Sequence, residues 1–273
     1  MISRLNMTTE KTLMSEFEEV RPRLKSFILR MTASVEDTED LIQDTFIKAS
    51  QNIQSFKGNS SLKTWIFAIA TNLCKNFLRS KKLWPENVTD ISKEAALNSP
   101  DLIAKMIEVR TISTHGDFEI REHIAFCFTC IGKSLPIEQQ VTLLLKEVYE
   151  FKVNEIAEIL QLTEGVVKHL LYSSRQKMID IFDKRCSLVS KLGFCHQCSE
   201  LNGLFNPKHE LQKELMKIEM VRKAEANDKE ELFDLRMKIV NGIDPYNSGA
   251  SELQLLHLKH SKQTMDKYFE NNP

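Results

Sequence analysis

Six basic side chains and no acidic one fall within residues 56–83, which read FKGNSSLKTWIFAIATNLCKNFLRSKKL. Ammonium and guanidinium groups at that density neutralise phosphate, so the chemistry they suggest is polyanion binding. A second group of residues could hold metal. Four of the six cysteines form two Cys-x-x-Cys pairs, Cys127 with Cys130 and Cys195 with Cys198. Paired thiolates suit the tetrahedral preference of one structural Zn2+ ion. The pairs stand much farther apart than the ~15–20 residues of a zinc ribbon, so an ion shared between them needs the intervening segment to fold back. Three readings of these thiols stay open: a zinc clamp with Cys186 and His196 as spare ligands, a thiol–disulfide switch, and plain core cysteines in the apolar run IAFCFTCI. Cys74 is expected to be packed. No phosphate-binding glycine loop, nucleophile elbow or metalloprotease helix is present in the sequence, so an enzyme is not expected.

The basic residues need a helix to present them. Ser60 or Ser61 is placed to cap one. Leu62, Ile66, Ile69, Leu73 and Phe77 then recur at helical steps as an apolar face, while Asn72, Lys75, Arg79 and Lys82 fall on another. The loop before it, with Phe56, Lys57, Gly58, Asn59, Ser60 and Ser61, mixes an aromatic ring with small hydrogen-bonding groups. Such a loop can trap an unstacked base, with Lys63, Thr64 and Trp65 at its far edge. On charge alone, a solvated helix face after an ordinary turn is the favoured reading, since basic helix faces are common. Immediately upstream lies an acidic segment, VEDTEDLIQDTF, at residues 35–46, suited to a protein surface rather than to nucleic acid.

Downstream, residues 135–149 read as an amphipathic helix opened by Pro136. Ile156, Ala157 and Leu160 give a short helix, and Thr163 is placed to cap the next one. Val167, Leu171, Ser174 and Met178 share the buried side of that next helix. This pattern is a helix-turn-helix, whose second helix enters the major groove. Glu164, Gly165, Val166, Lys168, His169, Tyr172, Ser173 and Arg175 are its candidate DNA-facing residues, and no acidic residue interrupts positions 165–179.

Residues 17–82 resemble region 2 of the bacterial extracytoplasmic-function sigma factors. The resemblance implies that Asp40, Leu41, Gln43, Asp44 and Phe46 dock on core RNA polymerase. It implies that the loop at 56–64 and the basic helix at 63–82 recognise and melt the −10 promoter element. The helix-turn-helix is similar to sigma region 4, which reads the −35 element. Leu170 and Ser173 stand where that family usually has basic residues, and Lys152 where it usually has a Ser or Thr cap. A weaker hold on −35 phosphates, or an altered preference there, follows from those departures. An anti-sigma factor is a further partner implied by the family.

The whole chain fits an all-α protein. It has 8 Gly and 7 Pro in 273 residues and no useful period-2 alternation. The expected division is region 2 at 10–83, a linker at 84–118, region 4 at 119–188 and a cysteine-containing helical extension at 189–273. The linker holds one short helix near 100–109 and reads equally as a tether or as a segment threading the polymerase. In the extension, residues 209–240 suggest a long charged helix broken at 241–245, and Ser251 opens a last helix carrying His257 and His260, a weak metal signal. The extension reads either as a regulator of the factor or as a stabilising appendage. The N-terminus has no apolar signal core, and no run approaches the ~18 apolar residues of a membrane span, so a cytoplasmic location without membrane insertion is expected. A net charge of −1 leaves any DNA binding to local faces. The competing function is a stand-alone helix-turn-helix regulator, metal- or redox-responsive, which would not need residues 40–46 or the loop at 56–64.

Overall fold

The structure, a computed structural model, describes residues 2–112, 120–186, 219–223, 228–248 and 251–272. Among the described residues there are helices and turns and no strand. Along the chain run α1 (Ile2–Thr32), α2 (Val35–Asn52), α3 (Leu62–Leu78), α4 (Val88–Leu97), α5 (Pro100–Ile112), α6 (Ile120–Gly132), α7 (Ile137–Leu143), α8 (Val153–Leu160), α9 (Glu164–Arg185), α10 (Lys229–Asn241) and α11 (Ser251–Asn271). A 3-10 turn at Ile53–Ser55 follows α2, and a π turn at Leu144–Val148 extends α7.

Two compact units interleave along this chain. One joins Met1–Lys81 to Pro136–Ser173, and the other joins Lys82–Leu135 to Ser174–Pro273. The units therefore cut across the sequential division at 83, 118 and 188 expected from the sequence. Non-local packing is the reason, and it differs in each unit.

In the first unit, α1, α2 and α3 form a three-helix layer. Leu24, Phe27 and Ile28 of α1 meet Leu41 and Ile42 of α2 and Ile66, Phe67 and Ala70 of α3, all fully or nearly fully buried. The α1–α2 corner is tight. Ala33 takes φ +57°, a left-handed end for α1, and Ser34 caps α2 by accepting from the Asp37 N–H at 3.3 Å. Against the far side of α3 packs α8. The two rings just before α8 fill the junction: Tyr149 lies edge-on to Phe27 at 5.5 Å, and Phe151 lies edge-on to Phe67 at 4.9 Å. The Tyr149 hydroxyl is 3.0 Å from the Ser26 hydroxyl, and Arg23 donates to the Tyr149 carbonyl at 2.9 Å. The expected apolar stripe of α3 is corrected accordingly. Only Ile66 of that stripe is buried, whereas Phe67, Ala70, Thr71, Cys74 and Leu78 form the core because α3 is covered from two directions.

In the second unit, α4 and α5 pack with α6 and α11. Trp84, Val88, Thr89, Ser92, Met106 and Val109 are buried, so residues 84–109 are an integral layer and not a flexible tether. Arg185 at the end of α9 reaches Asp90, and the Trp84 N–H donates to the Lys133 carbonyl at 3.1 Å. The long charged helix expected over 209–240 is described only in part. Residues 209–218 lie outside the described residues. Asp228 is an extended N-cap accepting from the Glu231 N–H at 2.8 Å, so α10 starts there afresh. Among the described residues, no helix is long and apolar enough to cross a membrane.

Candidate nucleic-acid interface

The acidic face of α2 is available as the sequence suggests. Asp40, Gln43 and Asp44 are exposed. One turn along α2 from Asp44, Ile47 is 49% exposed, an apolar neighbour of the acid groups that suits a protein partner. Leu41 and Phe46 play another part. Leu41 is a core residue at 6% exposure, and the half-buried Phe46 ring meets Phe17 edge-on at 4.9 Å. They hold α2 on α1, which fixes the direction in which Asp40 and Asp44 point.

The loop that follows is shaped by Gly58, whose φ of +71° side chains other than glycine rarely adopt. Ser61 is the cap of α3, accepting from the Thr64 N–H at 3.0 Å, and its hydroxyl also pairs with the Thr64 hydroxyl at 2.8 Å. Thr64 is buried by this arrangement, so its role lies in positioning the loop. The half-exposed rings of Phe56 and Trp65 lie 5.4 Å apart and inclined at 49°, with Lys57, Asn59 and Ser60 reaching solvent around them. A tilted aromatic pair with nearby amide and hydroxyl groups can stack and edge-read a base.

On α3 itself, Asn72 and Arg79 are exposed, whereas Lys63 and Lys75 are engaged. Lys75 Nζ lies 3.4 Å from Glu138 of α7, and Lys63 Nζ sits 5.0 Å over the Phe151 ring. Tyr149, Phe151 and Glu138 are thus partners of the basic helix that sequence reasoning missed, and no local signal in their own neighbourhoods points to α3.

The helix-turn-helix forms with its expected residues. Gln161 makes the turn in the left-handed region at φ +55°, Leu162 N–H bonds the Ala157 carbonyl at 3.0 Å, and Thr163 caps α9 by accepting from Val166 N–H at 3.3 Å. The missing Ser or Thr at the start of α8 is replaced by Glu155, whose carboxylate accepts from the Lys152 N–H at 2.8 Å. Val167, Ser174 and Met178 are fully buried and Leu171 nearly so, as their spacing predicts. Outward from α9 point Glu164, Gly165, Val166, Lys168, His169 and Tyr172, with Tyr172 67% exposed. Ser173 is half-buried and accepts from Gln139 of α7 at 3.1 Å, which turns its hydroxyl towards the protein. Arg175 is paired with Glu230 and Asp234 of α10.

The thiols divide. Cys130 is wholly buried beside Ser261, and its pKa is pushed up to about 12, chiefly by burial. Cys127 is half-buried, and Cys74 is core. Cys195 and Cys198 lie outside the described residues. Among the described residues no three His, Cys, Asp or Glu groups stand close enough to share an ion. The zinc clamp on the two Cys-x-x-Cys pairs therefore stays a proposal, since two of its four thiols lie outside the described residues. His257 and His260 are not a solvent-facing pair. His257 packs against Phe126 at 5.6 Å, and His260 Nε2 lies 2.9 Å from the Ser92 carbonyl.

The described residues, helical and set as an acid-faced helix, a basic helix and a helix-turn-helix in this order, define a helical protein of the helix-turn-helix class. Comparison with known proteins makes this narrower. The family model for Sigma-70 region 2 matches residues 17–83, and that for Sigma-70 region 4 matches residues 127–178. The ECF RNA polymerase sigma-E factor of Haemophilus influenzae is 31% identical over 149 residues, covering 55% of this chain and 76% of that one. The ECF sigma factor SigW of Bacillus subtilis is 28% identical over 163 residues, covering 58% of this chain and 82% of its own. SigG of Mycobacterium tuberculosis is 30% identical over 172 residues, but the match spans 46% of it, about half its length. The chain belongs to the extracytoplasmic-function family of sigma-70 RNA polymerase sigma factors.

Proposed function

We propose that this chain is a sigma subunit that joins core RNA polymerase and directs it to promoters. Asp40, Gln43 and Asp44 on α2 are the docking groups, with Ile47 as their apolar neighbour. Phe56 and Trp65, with Lys57 and Asn59, hold a base flipped from the −10 element, and Asn72 and Arg79 hold its backbone. Glu164, Val166, Lys168, His169 and Tyr172 of α9 read the −35 element. The sigma reading extends the partners to promoter DNA, core polymerase and, by family likeness, an anti-sigma factor. None of these roles needs catalysis by the chain itself.

One observation carries this reading. The exposed acid face of α2 runs, through a single glycine-shaped loop with an aromatic pair, into the basic helix α3. A stand-alone regulator has no use for that sequence of parts. The test is run-off transcription by purified core polymerase on a fragmented genomic library, with and without this protein. New start sites that depend on the protein support the sigma reading. DNA binding without new transcripts favours the stand-alone regulator.

A further inference from the structure

Arg175, on the side of α9 that follows the recognition residues, already holds anions. Its Nη2 lies 2.7 Å from Asp234 Oδ1 and 3.2 Å from Glu230 Oε2. Its guanidinium also lies over the Phe233 ring, 4.9 Å from the centroid. The next residue, Gln176, donates to the other carboxylate oxygen of Glu230. Lower on the same face, Lys229 pairs with Asp183 at 2.7 Å, and the buried Arg236 stacks on Phe182 at 3.8 Å. Glu230 and Asp234 are one helical turn apart on α10, so their carboxylates converge on one guanidinium. Two oxygens at 2.7–3.2 Å are what a DNA phosphate would offer that same group.

We infer that α10 is an intramolecular competitor for the DNA backbone: Glu230 and Asp234 occupy Arg175 in place of a phosphate, and α9 gains that contact only when they release it. The inference rests on the reading of α9 as a DNA-binding helix. It differs from a brace in what it requires. A brace needs the apolar side of α10, where Leu232, Phe233 and Leu235 are buried, whereas competition needs the two exposed carboxylates.

The test uses the full chain and a labelled 30-base-pair duplex of random sequence, titrated by fluorescence anisotropy over a series of salt concentrations. The variant E230Q/D234N keeps shape and removes both charges. It is expected to bind about tenfold more tightly at low salt, the scale of a typical coupling between two sites. Its plot of log affinity against log salt steepens by about 0.9, the signature of one more neutralised phosphate. E230Q alone gives a smaller change in the same direction. A charge-matched control, E94Q/D101N, changes exposed acids on α4 and α5 and leaves the slope unaltered. Adding R175Q to E230Q/D234N removes the gain. The inference is overturned if slope and affinity of E230Q/D234N match the parent, or if the gain survives R175Q. If the parent supports run-off initiation while E230Q/D234N shows no gain, only the competition fails. If neither the parent nor E230Q/D234N supports initiation, the sigma reading fails whatever the duplex result.

Discussion

Cutting Tyr149 to Ala should loosen α1 and α3, although Tyr149 lies far downstream of both. The ring is 4% exposed and is surrounded by Phe27 at 5.5 Å, Phe67 at 6.1 Å and the Arg23 guanidinium at 6.0 Å. Truncating a buried aromatic of this kind costs about 3–5 kcal/mol. Tyr149→Phe isolates the hydroxyl. It removes the 3.0 Å bond to Ser26, whose side chain is buried, and should cost about 1 kcal/mol. The assay is native-state hydrogen exchange, read separately on peptides of α1, α3 and α8. For amides that exchange through opening of the first unit, a loss of about 4 kcal/mol is roughly a thousandfold faster exchange. Tyr149→Ala should show that acceleration in α1 and α3 as well as in α8. If it appears only within residues 136–173, the two segments do not form one cooperative unit and the reasoning is refuted.

Asp40→Arg leaves stability unchanged, because Asp40 is exposed, and weakens binding to core polymerase at least about thirtyfold, as for a central interface charge; pull-down with purified core checks it. Replacing His169 and Tyr172 with Ala leaves core binding intact and shifts −35 preference by about 1–3 kcal/mol for each base that the shortened side chains no longer reach, measured on a promoter library. Gln161→Gly relieves the left-handed turn and raises the urea midpoint by the equivalent of about 0.5–1 kcal/mol. Acid should destabilise the second unit through His257. Burial, then the neighbouring His123 and His260, lowers its pKa to about 3 from the usual 6.5, so the unfolded chain takes up the proton first. Stability is full above pH 6.5 and falls as the pH drops towards 3, by up to about 1.4 kcal/mol per pH unit. His257→Leu flattens that slope in thermal melts taken across the range.

What the sequence made legible was local. Ser61 and Thr163 announce the starts of α3 and α9 because a cap acts within three residues. The buried side of α9 follows from its own spacing. The missed features are set by distant partners. The apolar face of α3 could not be placed without α8, which arrives from the other end of the first unit. Tyr149 and Phe151 look like ordinary helix-end aromatics until Phe27 and Phe67 surround them. The linker looked polar because Thr89 and Ser92 are polar, yet both are buried. Arg175 looked like a phosphate ligand because its carboxylates lie more than fifty residues away.

The union of α3 with the helix-turn-helix also has a consequence of scale. The longest element of the first unit, α1, has 31 residues and so runs about 46 Å, which sets the scale of that body. Promoter elements named for positions 10 and 35 lie some 25 base pairs apart, about 85 Å along B-form DNA. A single body of that length cannot span such a distance. On the sigma reading, the first unit is therefore a folded ruler, shorter closed than the interval it must measure. To touch both marks on one promoter it has to unfold at the α3–α8 joint and surrender the seats of Tyr149 and Phe151. Every kilocalorie holding that joint shut is then subtracted from the affinity for a complete promoter and left untouched in the affinity for either element alone.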